Sequence, residues 1–201
     1  LHLSIRRQRQ MCIRDSLTPD QVAQVLKYCD RERAVGRRDY AILLLLARLG
    51  LRAGEVAALT LDDLDWKEGN LTLRGKGGQE ARLPLPMEVG EAIVAYLQNG
   101  RPHCVSRRLF IRQRAPRAGL AKGAVSKLVM RALIRARVDS PRKGAHLFRH
   151  TLATGMLQHG ASLSEIGAIL RHRHPSTTMI YANVHLLALR RIAHAWPGGE
   201  R

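Results

Sequence analysis

The segment AILLLLA, residues 41–47, constrains the fold of this chain more than any other stretch. As a helix it would be apolar around its whole circumference, and such a helix is stable only when other elements cover every side of it. It is also too short for a membrane span, which takes roughly 18 or more apolar residues. We therefore predict a buried helix over 37–50, ended by Gly50, at the centre of a globular domain.

Most of the remaining periodic segments also predict helices. Thr18 and Pro19 are favoured at the N-cap and first position of a helix whose apolar stripe contains Val22, Val25 and Leu26. A short helical turn is expected around LRAGEVAAL. Longer helices are predicted at 88–98, about 121–137, 146–159 and 162–171, with a short one from Pro175. A final apolar stripe runs from Leu186 to Trp196 and suits core packing or docking on a neighbouring subunit equally well.

One stretch alternates between apolar and polar residues, which predicts strands instead. In NLTLRGKGGQEARLPLP, residues 70–86, Leu71 and Leu73 are expected to pair with Leu83 and Leu85 around the loop GKGGQ. Residues 99–119 read as a basic, loop-rich excursion around a short strand LFI. The expected fold class is mainly α with a small β-hairpin, that is, α+β.

The charge balance points to a polyanionic partner. Lysine and arginine total 34 against 16 acidic residues, a formal net charge of +18 that is spread along the whole chain. Nucleic acid is the first candidate partner for a folded domain with such a surface. The three cysteines are widely spaced and form no CxxC pair, so we expect no disulfide framework, no cysteine zinc site and a reducing, cytoplasmic compartment.

Six residues form the candidate site, although each alone has an ordinary structural explanation. Arg52 could be a surface arginine paired with Glu55 in its own helix, and a lysine in a glycine turn is usually solvated. Single histidines and a tyrosine at helical spacing are more often packing residues. Taken together in chain order, the candidates form a specific set: Arg52, Lys76, His146, Arg149, His172 and Tyr181.

This set suits attack on a phosphodiester. Two arginines can each hold a non-bridging oxygen of the phosphate in a bidentate manner, and histidines can donate a hydrogen bond or move a proton near neutral pH. A lysine can protonate a leaving alkoxide, and a tyrosine supplies an oxygen nucleophile. His146 and His150 also have the spacing of a helical zinc pair, but Arg149 shares their face, so we favour an anion there over a cation.

From about Leu17 to Pro197 the chain resembles the catalytic domain of tyrosine recombinases, the phage-integrase and Xer-like enzymes. The resemblance lies in three motifs and the helical tail: GLRAGEVAALTLDDLDW, GKGGQEARLPLP and HLFRHTLATGMLQHGASLSEIGAILRHRHPSTTMIYANV. It implies site-specific recombination of double-stranded DNA, as in phage and other mobile-element integrases. It also implies a homo-oligomer that is tetrameric on DNA and needs no metal, nucleotide or other cofactor.

The resemblance also implies a role for each candidate. Tyr181 would be the nucleophile that forms a 3′-phosphotyrosyl bond and frees a 5′-hydroxyl. Arg52 and Arg149 would bind the scissile phosphate, and Lys76 would be the general acid for the leaving 5′-oxygen. His146 would assist as general base.

His172 would bond a non-bridging oxygen, and it is preferred to His174 because only His172 stands nine residues before Tyr181. Two positions depart from the family pattern. Arg171 stands where many relatives carry glycine, and Gln79 stands where a basic residue is common.

The expected domain organisation is a single catalytic domain over 17–197 and a tail over 198–201. Residues 1–16 are expected to be non-native or disordered, and the N-terminal core-binding domain of the family is expected to be absent. A bacterial, cytoplasmic and nucleoid-associated protein without membrane attachment is expected. Three alternatives stay open: a type IB topoisomerase-like enzyme, a non-catalytic DNA-binding module derived from an integrase, and a zinc protein.

Overall fold

The structure, a computed structural model, describes residues 16–75, 80–141, 143–171 and 178. Within these residues its helices are α1 (Pro19–Lys27), α2 (Ala34–Leu49), α3 (Ala53–Ala58), α4 (Met87–Asn99), α5 (Lys122–Arg135), α6 (Ala145–Gln158) and α7 (Leu163–Ile169). The strands are β1 (Leu64–Asp65), β2 (Asn70–Arg74) and β3 (Glu80–Pro84), with a 3-10 turn at Leu61–Asp63 before β1. The predicted class, mainly α with a small antiparallel sheet, is confirmed.

Helix α1 begins as its sequence predicts. The Thr18 hydroxyl accepts a hydrogen bond from the Gln21 N–H at 3.2 Å, and the Gln21 side chain accepts one from the Thr18 N–H at 2.9 Å. This reciprocal capping box satisfies two main-chain donors that the helix itself leaves unpaired. The predicted stripe of Val22, Val25 and Leu26 is buried.

Helix α2 is the central element of the fold. It begins at Ala34, three residues earlier than predicted, and packs against α4 and α6. The side chains of residues 41–46 are fully buried, and each large aliphatic one contributes about 1.5–3 kcal/mol by leaving water. Gly50 ends the helix in the left-handed conformation, at φ 58°, as the sequence predicts.

The sheet has the order β1-β2-β3 and is antiparallel throughout. The predicted hairpin is present, with Leu71 opposite Leu83, but Leu73 lies opposite Ala81. Leu85 lies beyond the end of β3, where its N–H donates to the carbonyl of Gly69 at 2.8 Å. Strand β1 was not predicted from the sequence and is only two residues long.

Residues 99–119 contribute their apolar centre to the core without a named strand. Leu109, Phe110 and Ile111 are buried, and isolated bridges at Arg108 and at Ile111 itself stand in place of the predicted strand LFI. The Ile111 N–H donates to the hydroxyl of the buried Tyr96 at 3.1 Å. Burial of the apolar side chains therefore fixes this basic loop on the domain.

Two further predictions fall outside the described residues: the helix from Pro175, of which only Thr178 is described as helical, and the stripe from Leu186 to Trp196. The division into a catalytic domain over 17–197 with flanking segments stays a prediction. No helix in the described part of the chain is both long and apolar enough to cross a membrane.

Candidate active site

Three of the six predicted site residues, Arg52, His146 and Arg149, lie in the described part of the chain. Lys76, which stands between β2 and β3 in the sequence, lies outside it, and so do His172 and Tyr181.

Arg149 is the anchor of the site. It lies on α6 with only 5% of its surface exposed. Its Nη1 donates to the carbonyl of Gly50 at 2.7 Å, and its Nη2 donates to the carbonyl of Leu170. Gly50 and Leu170 are the C-caps of α2 and α7, where helix carbonyls lack partners and the helix dipole is negative. Arg149 therefore joins two helix ends through its buried positive charge.

Gly50 makes this junction close-packed. A Cβ atom at this position would lie 2.8 Å from Cδ2 of Leu170 and 3.0 Å from Cδ2 of Leu152, too near for either side chain to stay in place. The left-handed φ also disfavours any residue with a Cβ. Glycine therefore fits both the left-handed end of α2 and the close approach of the Leu152 and Leu170 side chains.

Arg52 stands at the N-cap of α3, beside that junction. Its main-chain N–H donates to Oε2 of Glu55 at 2.8 Å, and its Nη1 donates to Oε1 of the same carboxylate at 2.6 Å. The intrahelical partner predicted from the sequence is thus confirmed. Its Nη2 donates to the carbonyl of Arg171 at 3.2 Å, while 39% of the side chain stays exposed. Arg52 can therefore bind a ligand from solvent while its guanidinium is held from behind.

Glu55 is shared between two arginines. Its Oε2 lies 3.1 Å from Nη2 of Arg171, and both side chains are largely buried, at 18% and 16% exposure. Burial acts to raise the pKa of Glu55, but hydrogen bonds from Arg52 and the charge of Arg171 outweigh it, so the pKa lies below its ordinary 4.5. Burial also lowers the pKa of the Arg171 guanidinium, although Glu55 opposes that effect. The carboxylate is therefore ionised at neutral pH.

His146 lies in the first turn of α6 and is exposed, while His150, one turn later, is partly buried. Because α6 is helical, His146 and Arg149 share a face, as predicted. Within the described residues, no group of three or more histidine, cysteine, aspartate or glutamate side chains is placed to hold a metal ion.

The arrangement is suited to an anion. The guanidinium groups of Arg52 and Arg149 donate to carbonyls of two adjoining chain turns, 50–52 and 170–171, and Arg171 pairs with Glu55 beside them. Three arginine side chains gather there, and Glu55 is ion-paired with two of them, Arg52 and Arg171. Guanidinium groups fixed in this way bind oxyanions without having to reorganise.

The contact of Arg171 with Glu55 was not predicted from the sequence, in which Arg171 stands out only as a departure from glycine. Local spacing relates Arg52 to Glu55, but Arg171 and Glu55 are 116 positions apart, so no helical period connects them. The one sequence feature that could have indicated this contact is the presence of arginine at a turn position where many relatives carry glycine.

Comparison with known proteins identifies a matching family and similar relatives. The model of the phage integrase family matches residues 15–186. The integrase/recombinase y4rA of Sinorhizobium fredii is 52% identical over 180 residues, which cover 89% of this chain and 44% of that protein. Another from the same organism, y4gC, is 41% identical, over 92% of this chain and 96% of its own length. The chain thus spans under half of one relative and nearly all of the other.

Solved structures agree on the fold. XerA recombinase superposes with a TM-score of 0.73 at 24% identity, covering 90% of this chain and 66% of that one. XerH recombinase, bound to a palindromic difH substrate in a post-cleavage complex, gives 0.76 at 22% identity, over 90% of this chain and 53% of that one. At these identities the likeness establishes architecture alone. The family match and the close relatives establish more: the chain belongs to the phage integrase family, the family of the tyrosine recombinases.

Proposed function

We propose that this chain is the catalytic domain of a site-specific DNA recombinase that cleaves and rejoins duplex DNA through a 3′-phosphotyrosyl intermediate. The observation that carries the proposal is the convergence of Arg52 and Arg149 on the adjoining turns 50–52 and 170–171 in a member of this family. The domain proposed to carry the activity extends over 17–197.

Binding of the scissile phosphate falls to the two arginines. Arg149 is fixed by two carbonyls and Arg52 by Glu55, so both guanidinium groups are oriented before DNA arrives. A phosphodiester under attack gains negative charge on its non-bridging oxygens, and fixed cations stabilise that charge more than they stabilise the ground state. Preorganisation of Arg52 and Arg149 therefore favours the cleavage step.

The proposed reaction is a transesterification. The phenolic oxygen of Tyr181 forms a bond to phosphorus as the bond to the 5′-oxygen breaks, and Lys76 gives a proton to that leaving oxygen. His146 accepts the phenolic proton, and His172 donates a hydrogen bond to a non-bridging oxygen. The reverse reaction with another 5′-hydroxyl rejoins the strand. One phosphodiester is exchanged for another, so the chemistry balances without a cofactor.

Double-stranded DNA is the proposed partner, and the net charge of +18 supplies the attraction. The recombinase relatives include bacterial proteins, which supports a bacterial cytoplasmic, nucleoid-associated location. Strand exchange requires more than one active site on the DNA, so we propose a homo-oligomer, a tetramer, on the recombining duplexes.

A suicide-substrate trap tests the proposal. Pools of nicked duplex DNA lose a short 5′-hydroxyl fragment on cleavage, which prevents religation and leaves protein bound to DNA. Denaturing gels are expected to show a covalent adduct, and peptide mapping is expected to place it on Tyr181. The trapped DNA then identifies the target, and a substrate with two copies of it is expected to undergo strand exchange. DNA binding without any adduct would reduce the chain to a binding module.

DNA affinity is expected to fall steeply with salt. Phosphate contacts release condensed counterions, so a protein that contacts about six phosphates loses roughly a thousandfold in affinity between about 50 and 200 mM salt. Fluorescence anisotropy with a labelled duplex measures the slope of log K against log salt. A flat response would contradict backbone binding by the basic surface.

A further inference from the structure

Arg171 holds an unusual main-chain conformation for its residue type. Its φ is 55°, in the left-handed region that disfavours side chains with a Cβ. Within the described residues only one other non-glycine residue, Arg137, shares this feature. Such a conformation persists where surrounding contacts impose it. The contacts of the Arg171 side chain should therefore explain why arginine occupies this turn.

The side chain of Arg171 points inward to Glu55. Its Nη2 lies 3.1 Å from Oε2 of Glu55, the oxygen that also accepts the main-chain N–H of Arg52. The other oxygen, Oε1, accepts Nη1 of Arg52. Since both partners are largely buried, their charges act on each other with little screening.

Without Arg171, the charge of Glu55 would act on Arg52 alone. A carboxylate 2.6 Å from a guanidinium cancels much of the potential that the guanidinium offers to a phosphate. Arg171 supplies a second positive charge to the same carboxylate. Glu55 can then orient Arg52 without neutralising it.

The main chain of Arg171 serves the same site. Its carbonyl accepts Nη2 of Arg52, and the preceding carbonyl, that of Leu170, accepts Nη2 of Arg149. The turn 170–171 therefore contacts both arginines that are proposed to bind the scissile phosphate. The ion pair with Glu55 ties this turn to α3.

We infer that Arg171 is a positioning residue for strand cleavage: it compensates the charge of Glu55 and holds the turn against which Arg52 is oriented. This inference rests on the proposed function, because it assumes that Arg52 binds the scissile phosphate. Arg171 acts through Glu55 and Arg52 and is not proposed to touch DNA.

The test compares Arg171→Gln, Arg171→Lys and Arg171→Gly in single-turnover adduct formation on the suicide substrate at saturating protein. Arg171→Gln is expected to slow cleavage by about tenfold to a hundredfold. Arg171→Lys keeps the charge and is expected to recover most of the rate. Arg171→Gly relieves the main-chain conformation but removes the charge, so it is expected to be as slow as Arg171→Gln.

A matched control is Arg137→Gln. Arg137 is also a left-handed arginine, but it is exposed and forms no ion pair within the described residues. Its replacement removes the same charge from the protein, and the cleavage rate is expected to stay unchanged. Duplex affinity and the thermal midpoint are measured for every variant, so that losses in binding or folding are separated from losses in the cleavage step.

A double-mutant cycle with Glu55→Gln isolates the mechanism. If Arg171 acts by compensating Glu55, replacing Arg171 costs little once Glu55 is neutral, so the two substitutions are strongly non-additive. An equal rate loss in both backgrounds, or a wild-type rate in Arg171→Gln, would overturn the inference while leaving the proposed function intact. Absence of any adduct in the wild-type chain would instead overturn the proposed function, and this inference with it.

Discussion

Replacing Tyr181 with phenylalanine is expected to abolish covalent attachment to DNA while leaving DNA binding unchanged. The substitution removes one oxygen atom, the atom proposed to bond to phosphorus, and keeps the ring. Loss of an essential nucleophile lowers a rate by at least about a thousandfold, and here no adduct can form at this position at all. Suicide-substrate trapping with denaturing gels measures the adduct, and anisotropy measures duplex affinity.

Tyr28→Phe is the matched control for this experiment. Tyr28 is 53% exposed and stands at the end of α1, so removing its hydroxyl is expected to leave trapping at the wild-type level. An adduct that survives Tyr181→Phe would assign the nucleophile to another residue. It would also refute the role proposed for Tyr181.

Replacing Arg149 with alanine is expected to damage both chemistry and stability. The carbonyls of Gly50 and Leu170 would each lose a buried charged donor, and unpaired buried groups cost about 1–3 kcal/mol each in unfolding free energy. Cleavage is expected to fall by about a hundredfold or more, because a fixed cation leaves the proposed phosphate site. Urea unfolding and single-turnover trapping measure the two effects on the same preparations.

Arg52→Ala provides the contrast. The Arg52 side chain is 39% exposed, and Glu55 would keep Arg171 as its partner, so the unfolding free energy is expected to change far less than in Arg149→Ala. Cleavage is nevertheless expected to fall by a comparable factor. If Arg52→Ala destabilised the domain more than Arg149→Ala, the assignment of Arg149 as the anchor would be wrong.

The elements predicted correctly from the sequence are those determined by neighbours along the chain. Thr18 with Gln21 caps α1, and the apolar run at 41–47 can be satisfied only by burial. Gly50 ends α2 because the left-handed position favours glycine. Each of these features depends only on a few residues that are close together in the sequence, so a local sequence pattern is enough to predict it.

The features that were missed depend on contacts between distant segments. The strand β1 is too short to show alternation, and it exists because β2 lies beside it. The pair of Arg171 and Glu55 spans 116 positions. Arg52 and Arg149 were predicted as site residues from the order of residue types along the chain. The carbonyls that bind them could be identified only in the structure. The roles of Lys76, His172 and Tyr181 stay predictions.

The hydrogen bonds of Arg149 to two helix ends bear on how members of this family decay when selection for recombination ends. On the proposed mechanism, a gene copy that loses Tyr181 is expected to lose strand cleavage, while a folded product that binds DNA can persist. A copy that loses Arg149 also weakens the join between α2 and α7 and becomes prone to degradation. Arg149 should therefore outlast the tyrosine in inactive copies. We therefore expect Arg149 in a genome sequence to indicate a folded domain, and the tyrosine, on the proposed mechanism, to indicate an active enzyme.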